Sequence, residues 1–214
     1  MEKIDTLFLS GGGINSIAYF GVFKYLFEKN IIEKDFKNIK NIVCVSGSAF
    51  LVFPLLLGFP LNVLLDITLK FNTEKLVNYD NFDINKLLTN FGIYENDFFE
   101  LGYKLLLKKK NLPMDITMKQ LYEHSNVNFV IKVANITNYK IEYINHINFP
   151  DLSVMEAIKM TSCIPFIFKP IIYKDNYYVD GGLCGNYAIE YNKKIKSKNY
   201  LGVQIKTIDE NKNI

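Results

Sequence analysis

The sequence predicts an α/β fold with a parallel central sheet. Two successive units support this prediction, because each runs from a short apolar strand through a tight turn into an apolar helix. In the first unit, the strand Thr6–Leu9 leads through a glycine-rich turn to a helix from about Ser16 to Glu28. In the second, the strand Asn41–Val45 leads through Ser46-Gly47-Ser48 into the apolar residues 49–61. This alternation is typical of proteins in which helices connect parallel strands.

Capping motifs and apolar alternation predict the elements of the second half. Residues 62–124 indicate helices, one of which starts at the capping box Thr117–Gln120. A second capping box at Ser153–Glu156 opens a helix to about Ser162. The predicted strands are Asn128–Ile136, Lys140–Ile144, the hairpin Ile171–Val179 and Leu201–Ile205. The chain contains no repeat and no linker, so we expect one domain over residues 1–214, with 62–125 as a helical insertion or lid-like region.

The composition excludes several classes of protein. Of the 214 residues, 49% are hydrophobic and 22% are charged, as in ordinary globular proteins, which excludes a disordered or collagen-like chain. The net charge is +3 and all 25 basic residues are lysines, so the charge is too weak to indicate a nucleic-acid partner. It permits a loose attraction to an anionic membrane surface.

Cysteine usage and hydropathy predict an intracellular protein, either soluble or peripherally associated with a membrane. The three cysteines are odd in number and their spacing fits no zinc site, so reduced thiols are expected. No signal peptide opens the chain. The most apolar run, residues 49–61, contains two prolines and is shorter than the roughly 20 residues that a membrane span needs.

A glycine-rich loop follows the first strand, in the segment 10-SGGGINSIAYFG-21. The backbone N–H groups of Gly11, Gly12 and Gly13 can turn toward a phosphate or a transition-state oxyanion at a helix N-terminus. A plain strand–helix turn would explain the same glycines. A dinucleotide site fits poorly, because the third glycine of that motif would fall on Ser16 and no acid ends the second strand.

The segment 44-CVSGSAF-50 lies where a nucleophile elbow presents a serine between a strand and a helix. Either Ser46 or Ser48 could be this serine, and a Ser/Gly turn with a helix cap is the simpler alternative. We favour Ser46, because the flanking positions of its G-x-S-x-G frame are then the small residues Cys44 and Ser48. The other frame places the bulky Phe50 at a crowded position.

An acid follows a later strand in 178-YVDGGLCGN-186. The carboxylate of Asp180, followed by Gly181 and Gly182, can accept the proton of a serine hydroxyl, although the same residues would also form a simple turn. The two histidines, His124 and His146, lie at a predicted helix end and in a polar loop. Neither context is that of a catalytic base, so a serine hydrolase here would use a Ser–Asp dyad.

Taken together and in this order, these motifs resemble the patatin-like phospholipase family, which is related to the cytosolic phospholipase A2 core. The stretch 157–186 resembles the family's A-x-x-A-S-x-x-I-P-x-x-F-x-P motif, followed by a short hairpin and the D-G-G-x-x-x-N motif. The resemblance implies a three-layer α/β/α fold with a mainly parallel sheet. It also implies a lipid acyl hydrolase in which Ser46 is the nucleophile, Asp180 the base and Gly11–Gly13 the oxyanion hole, with no metal and no other cofactor.

The sequence departs from the family pattern at several positions. Asn15 stands where the family usually has Arg or Lys, and the expected consequence is weaker headgroup binding or an altered oxyanion loop. Cys44 and Ser48 replace the two glycines that flank Ser46-Gly47, and Pro54 falls inside the elbow helix. A catalytically weak lipid-binding or regulatory protein, and a soluble esterase or thioesterase, are therefore the alternatives to a phospholipase.

Two further segments are candidates for membrane contact. Residues 91–107 form an apolar and aromatic stretch that could belong to a lid, although a core-facing amphipathic helix explains it more simply. The lysine run 193–198 could meet anionic lipid, although a solvated surface is the simpler interpretation. The expected partner is a phospholipid or another acyl lipid, and the sequence gives no oligomeric state.

Overall fold

The computed structural model describes residues 3–70, 92–94 and 100–206. The strands are β1 (Thr6–Leu9), β2 (Asn41–Val45), β3 (Gly92–Tyr94), β4 (Asn128–Asn135), β5 (Lys140–Ile144), β6 (Phe166–Phe168), β7 (Ile171–Tyr173), β8 (Asn176–Asp180) and β9 (Tyr200–Val203). The helices are α1 (Tyr19–Glu28), α2 (Gly47–Leu56), α3 (Leu61–Lys70), α4 (Glu100–Lys109), α5 (Met118–Ser125), α6 (Val154–Thr161) and α7 (Asn192–Ile195). Short 3-10 turns span Gly13–Ala18, Gly181–Cys184 and Ile189–Tyr191.

The centre of the main sheet is parallel, as predicted. β1 pairs in parallel with β2 on one side and with β9 on the other, and β2 pairs in parallel with β4. β5 and β8 run antiparallel to β4, and β7 runs antiparallel to β8. The register aligns Leu9 with Cys44, so the turns that follow β1 and β2 leave the sheet side by side.

The edge of β4 brings the ends of β2 and β8 together. Residues 131–135 of β4 pair with β5, which therefore occupies one edge. The other edge is shared, because β2 pairs with residues 128–132 and the antiparallel β8 pairs with residues 133–135. In the last pairs, Val45 faces Lys132 and Asp180 faces Val133. The carboxyl ends of β2 and β8 therefore approach each other along one edge of β4.

Different structural elements pack against the two faces of the sheet. The chain steps from β1 to β2 to β4 in one direction, and right-handed crossovers then place the connecting helices on the same face. Buried residues of α1, α2, α5 and α6 form the large core there with Leu7 and Leu9. The segment that connects β8 to β9 crosses the opposite face of the sheet. There, Phe8 and Val130 pack against Ala188 and Tyr191. The predicted mixed α/β fold, with helices flanking a mostly parallel sheet, is confirmed.

Local signals placed several elements correctly. Thr117 and Gln120 form the reciprocal hydrogen bonds of a capping box at the start of α5, at 3.2 and 2.9 Å. Lys174 and Asp175 both have positive φ (47° and 60°), as the type I′ turn of a two-residue hairpin requires. The first helix begins later than predicted, because residues 13–18 form a 3-10 turn and the α-helix begins at Tyr19.

Pro54 is accommodated inside α2 by a side chain from α4. Proline has no N–H to donate to the carbonyl four residues earlier, which is that of Phe50. The Tyr103 hydroxyl donates to the Phe50 carbonyl oxygen instead, at 2.7 Å, and its ring lies 5.4 Å from that of Phe53.

The apolar segment 91–107 is described only in part. Tyr103 and Leu107 of this segment are buried and pack against the core, whereas residues 71–91 and 95–99 lie outside the described ranges. In the described ranges, we find no helix with the length and hydropathy of a membrane span.

Candidate active site

Ser46 lies in a strained turn between β2 and α2. Its backbone angles are φ 50° and ψ −127°, a conformation that costs free energy for a residue with a Cβ. The Ser46 N–H donates to the hydroxyl oxygen of Thr161 at 2.8 Å, and the Thr161 hydroxyl in turn donates to the Lys132 carbonyl oxygen at 2.7 Å. The last residue of α6 therefore holds the turn against β4.

The Ser46 hydroxyl donates to Oδ2 of Asp180 at 2.6 Å. Asp180 is the last residue of β8, and the shared edge of β4 brings it to the end of β2. Its other oxygen, Oδ1, accepts the Gly182 N–H at 2.6 Å. Burial raises the pKa of Asp180 above its ordinary value, and the hydrogen bonds from Ser46 and Gly182 oppose this shift. The carboxylate is therefore a better proton acceptor than a solvated aspartate.

Gly11 packs directly beside the serine. Its N–H donates to the Asn186 carbonyl oxygen at 3.0 Å, and the Asn186 amide donates back to the Gly11 carbonyl oxygen at 2.9 Å. A Cβ on Gly11 would lie 2.1 Å from Asn186 Oδ1 and 3.2 Å from the Cβ of Ser46. A side chain at position 11 would therefore have to displace the Asn186 amide and press against Ser46.

Gly13 of the loop lies against the start of α2. Gly13 has φ 52°, a region that glycine adopts without strain. A Cβ on Gly47 would lie 2.6 Å from the Gly13 carbonyl oxygen and 3.2 Å from the Gly13 nitrogen. The main chain of Gly13 therefore touches the residue that follows Ser46, at the positive end of the α2 dipole.

Gly181 provides the corresponding close contact on the aspartate side. A Cβ at this position would lie 2.3 Å from the Lys132 carbonyl oxygen and 3.0 Å from the Val133 nitrogen. Both atoms belong to the backbone of β4, so neither can move independently of the sheet. The absence of a side chain at Gly181 thus lets the chain turn sharply after Asp180, and this turn brings the Gly182 N–H back to the carboxylate.

The structure separates the two candidate serines. Ser48 is fully buried, and its hydroxyl oxygen accepts the Val45 N–H at 3.1 Å and lies 2.9 Å from the Val45 carbonyl oxygen. These contacts face the core rather than Asp180. Cys44 is also fully buried, and burial raises the pKa of its thiol, whereas Asn15 is exposed on the 3-10 turn.

His146 lies away from the Ser46–Asp180 pair. The His146 ring stacks on Tyr122 at a centroid distance of 3.7 Å, and its Nδ1 is 3.1 Å from Asn128 Oδ1. Asn128 is the first residue of β4, at the opposite end from the pair of Val133 with Asp180. In the described part of the chain, we find no cluster of three His, Cys, Asp or Glu residues suited to a metal ion.

Three residues near the Ser46–Asp180 pair were not predicted from the sequence to have a role there. They are Lys132, Thr161 and Asn186. One signal was available for Lys132, because a charged residue interrupts the apolar strand NFVIKVAN. Thr161 and Asn186 lie at polar positions of the 157–186 stretch, but only the folded chain brings them to Ser46 and Gly11.

Known proteins resemble this chain over most of its length. It is 24% identical over 209 residues to "Probable lipid hydrolase 463L" of Invertebrate iridescent virus 6, an alignment that covers 95% of this chain and 70% of that protein. It is 27% identical over 188 residues to "Uncharacterized protein R571" of Acanthamoeba polyphaga mimivirus, covering 88% of this chain and 61% of that protein.

A solved structure, VipD from Legionella pneumophila, has a similar fold. The TM-score is 0.71 at 16% sequence identity, over 94% of this chain and 50% of that chain. This chain therefore corresponds to half of VipD. Residues 7–192, which contain the Gly loop, the Ser46 turn and Asp180, match the family described as patatin-like phospholipase. The chain belongs to the patatin-like phospholipase family.

Proposed function

We propose that the chain is a lipid acyl hydrolase that cleaves fatty-acyl esters through an acyl-serine intermediate on Ser46. The observation that carries this proposal is the 2.6 Å hydrogen bond from the Ser46 hydroxyl to Asp180, in a strained turn at a helix N-terminus. Membership of the patatin-like phospholipase family supports a lipid hydrolase. The dyad supplies the chemistry that such an activity needs.

Asp180 acts as the general base in the first step. It accepts the hydroxyl proton of Ser46 as the oxygen attacks the ester carbonyl, and it then passes this proton to the leaving alcohol. The raised pKa of Asp180 favours proton transfer from the serine, because burial leaves the carboxylate with little competing solvation. Water, activated by the same carboxylate, then attacks the acyl-serine and releases the fatty acid.

The glycine-rich loop stabilises the tetrahedral oxyanion in this scheme. The Gly11 N–H is already used by the Asn186 carbonyl, so the donors come from Gly12 and Gly13, with the α2 dipole adding to them. Asn15 lies on the exposed surface of the same loop and carries no charge. Recognition of an anionic headgroup therefore does not depend on a cation at this position.

Fatty-acid release from phospholipid vesicles tests the proposal. We expect wild-type protein to release fatty acid from phosphatidylcholine vesicles, and Ser46→Ala to reduce this release to background, because the nucleophile is lost. A water-soluble p-nitrophenyl ester serves as the comparison substrate. Hydrolysis of the soluble ester without vesicle hydrolysis would indicate an esterase. A folded wild-type protein that hydrolyses neither substrate would overturn the proposal in favour of a lipid-binding protein.

A further inference from the structure

Lys132 is a buried charged residue that the proposed reaction does not use. It lies in the middle of β4 and is only 1% exposed. Because side chains alternate along a strand, Lys132 points to the same face of the sheet as Val130. Burying an ammonium group is costly unless it is paired and hydrogen-bonded, so its place in this sheet needs an explanation.

The Lys132 ammonium binds the segment that follows Asp180. It donates to the Cys184 and Gly185 carbonyl oxygens at 3.1 and 2.9 Å, and to Glu190 Oε1 at 2.8 Å. An ammonium has three N–H donors, so these acceptors account for all of them. Burial alone would raise the pKa of Glu190, but hydrogen bonds from Lys132 and Tyr143 lower it overall, which keeps this partner ionised.

The 181–185 turn has few apolar contacts of its own to hold it in place. Leu183, its one large apolar side chain, is 60% exposed, and Cys184 and Gly185 are exposed as well. Gly185 has φ 104°, a conformation that leaves its carbonyl directed at Lys132. The ammonium group therefore supplies the anchor that side-chain packing does not supply.

The main chain of Lys132 reaches the other half of the dyad. Its carbonyl oxygen accepts the Thr161 hydroxyl, which itself accepts the Ser46 N–H. The same carbonyl is the atom against which Gly181 packs. Lys132 thus contacts the serine side through its backbone and the aspartate side through both its backbone and its ammonium group.

We propose that Lys132 is a positioning residue, whose buried ammonium fixes the 181–185 turn on β4 and so holds the Asp180 carboxylate against Ser46. This inference rests on the proposed function for its effect on catalysis. Hydrolysis depends on holding reacting groups in place, and a displacement of about 1 Å can cost roughly 100-fold in rate. The Gly182 N–H, which donates to Asp180, lies inside the turn that Lys132 anchors.

Lys132→Met is the variant that tests this role, since methionine retains much of the apolar stem and removes the three donors. We expect kcat to fall by about 10- to 100-fold with little change in KM, because the substrate does not touch Lys132. The melting temperature should be unchanged or higher. Glu190, the charged partner that remains, has a side chain that is 44% exposed, and the buried ammonium is no longer desolvated.

Glu190→Gln is the contrasting variant. It keeps an oxygen acceptor for Lys132 and leaves the two backbone carbonyls in place, but it removes the countercharge of a buried cation. We expect a lower melting temperature with kcat retained within about threefold. Lys140→Met, which removes a lysine that is 56% exposed, serves as the surface control and should change neither quantity.

Amide hydrogen exchange separates this inference from the proposed function, because it requires no activity. In Lys132→Met, the Gly182 amide should exchange at least about tenfold faster than in wild type, with amides in β1 unchanged. An unchanged Gly182 exchange rate would overturn the positioning role even if wild type were an active hydrolase. A lower melting temperature with wild-type kcat would overturn it as well, since that result is a purely structural effect.

Discussion

Asp180→Asn is expected to lower kcat/KM for ester hydrolysis by about 10³-fold, because an amide cannot accept the Ser46 proton. The substitution preserves volume, and the asparagine side-chain oxygen can still accept the Gly182 N–H. Burial raises the pKa of Asp180, so the ionised carboxylate is less favourable in the folded chain than in the unfolded one. The variant should therefore be at least as stable as wild type near pH 7. Steady-state kinetics and thermal unfolding measure the two effects.

The pH profile supplies the control for this prediction. A carboxyl group with a raised pKa is protonated over a wider pH range, so wild-type kcat/KM should fall with decreasing pH from a value above the ordinary aspartate pKa. Asp175→Asn, in the exposed β7–β8 turn, should leave both rate and profile unchanged. If Asp180→Asn kept the wild-type kcat/KM and showed the same fall of kcat/KM at low pH, this result would contradict the assignment of Asp180 as the base.

Gly181→Ala is expected to disrupt both folding and activity. The added Cβ would meet the Lys132 carbonyl oxygen at 2.3 Å and the Lys132 carbonyl carbon at 2.6 Å, so β8 must move away from β4. Forcing a methyl group into a packed site costs about 1–3 kcal/mol, and backbone contacts place this case near the upper limit. The displacement of Asp180 should lower kcat/KM by at least about 100-fold. Denaturant unfolding and ester hydrolysis measure these changes.

Gly21→Ala is the matched control for this substitution. Gly21 lies in α1, and a Cβ there would meet no atom within 4 Å. Replacing a helical glycine with alanine should stabilise the fold by about 0.5–1 kcal/mol and leave hydrolysis unchanged. Equal stability and equal activity in Gly181→Ala and Gly21→Ala would contradict the packing of the Asp180 turn against β4.

The sequence predicted those elements whose signals are local. The strands Thr6–Leu9, Asn41–Val45 and Lys140–Ile144 have the predicted bounds. Buried apolar runs mark the first two, and the third was predicted as a partner of the alternating segment Asn128–Ile136. β3 and β6 were not predicted. Each has three residues, and they pair with each other across a long sequence separation, so no alternation or turn motif reveals them.

The residue types of the candidate site were predictable, but the way in which the fold brings them together was not. The preference for Ser46 over Ser48 followed from the size of the flanking residues and stays a prediction; the Ser48 hydroxyl contacts the Val45 backbone. The meeting of Ser46 with Asp180 depends on β2 and β8 sharing one edge of β4, which is a matter of strand register. The roles of Lys132 and Thr161 depend on the same register.

Labelling with a fluorophosphonate probe, followed by peptide mapping, tests the central claim most directly. The probe reacts with an activated serine, so wild type should carry the label on Ser46, and Ser46→Ala should carry none. Ser48→Ala should retain the label, because the Ser48 hydroxyl faces the Val45 backbone rather than Asp180. Modification of Ser48, or undiminished labelling in Ser46→Ala, would contradict the account of Ser46 as the nucleophile.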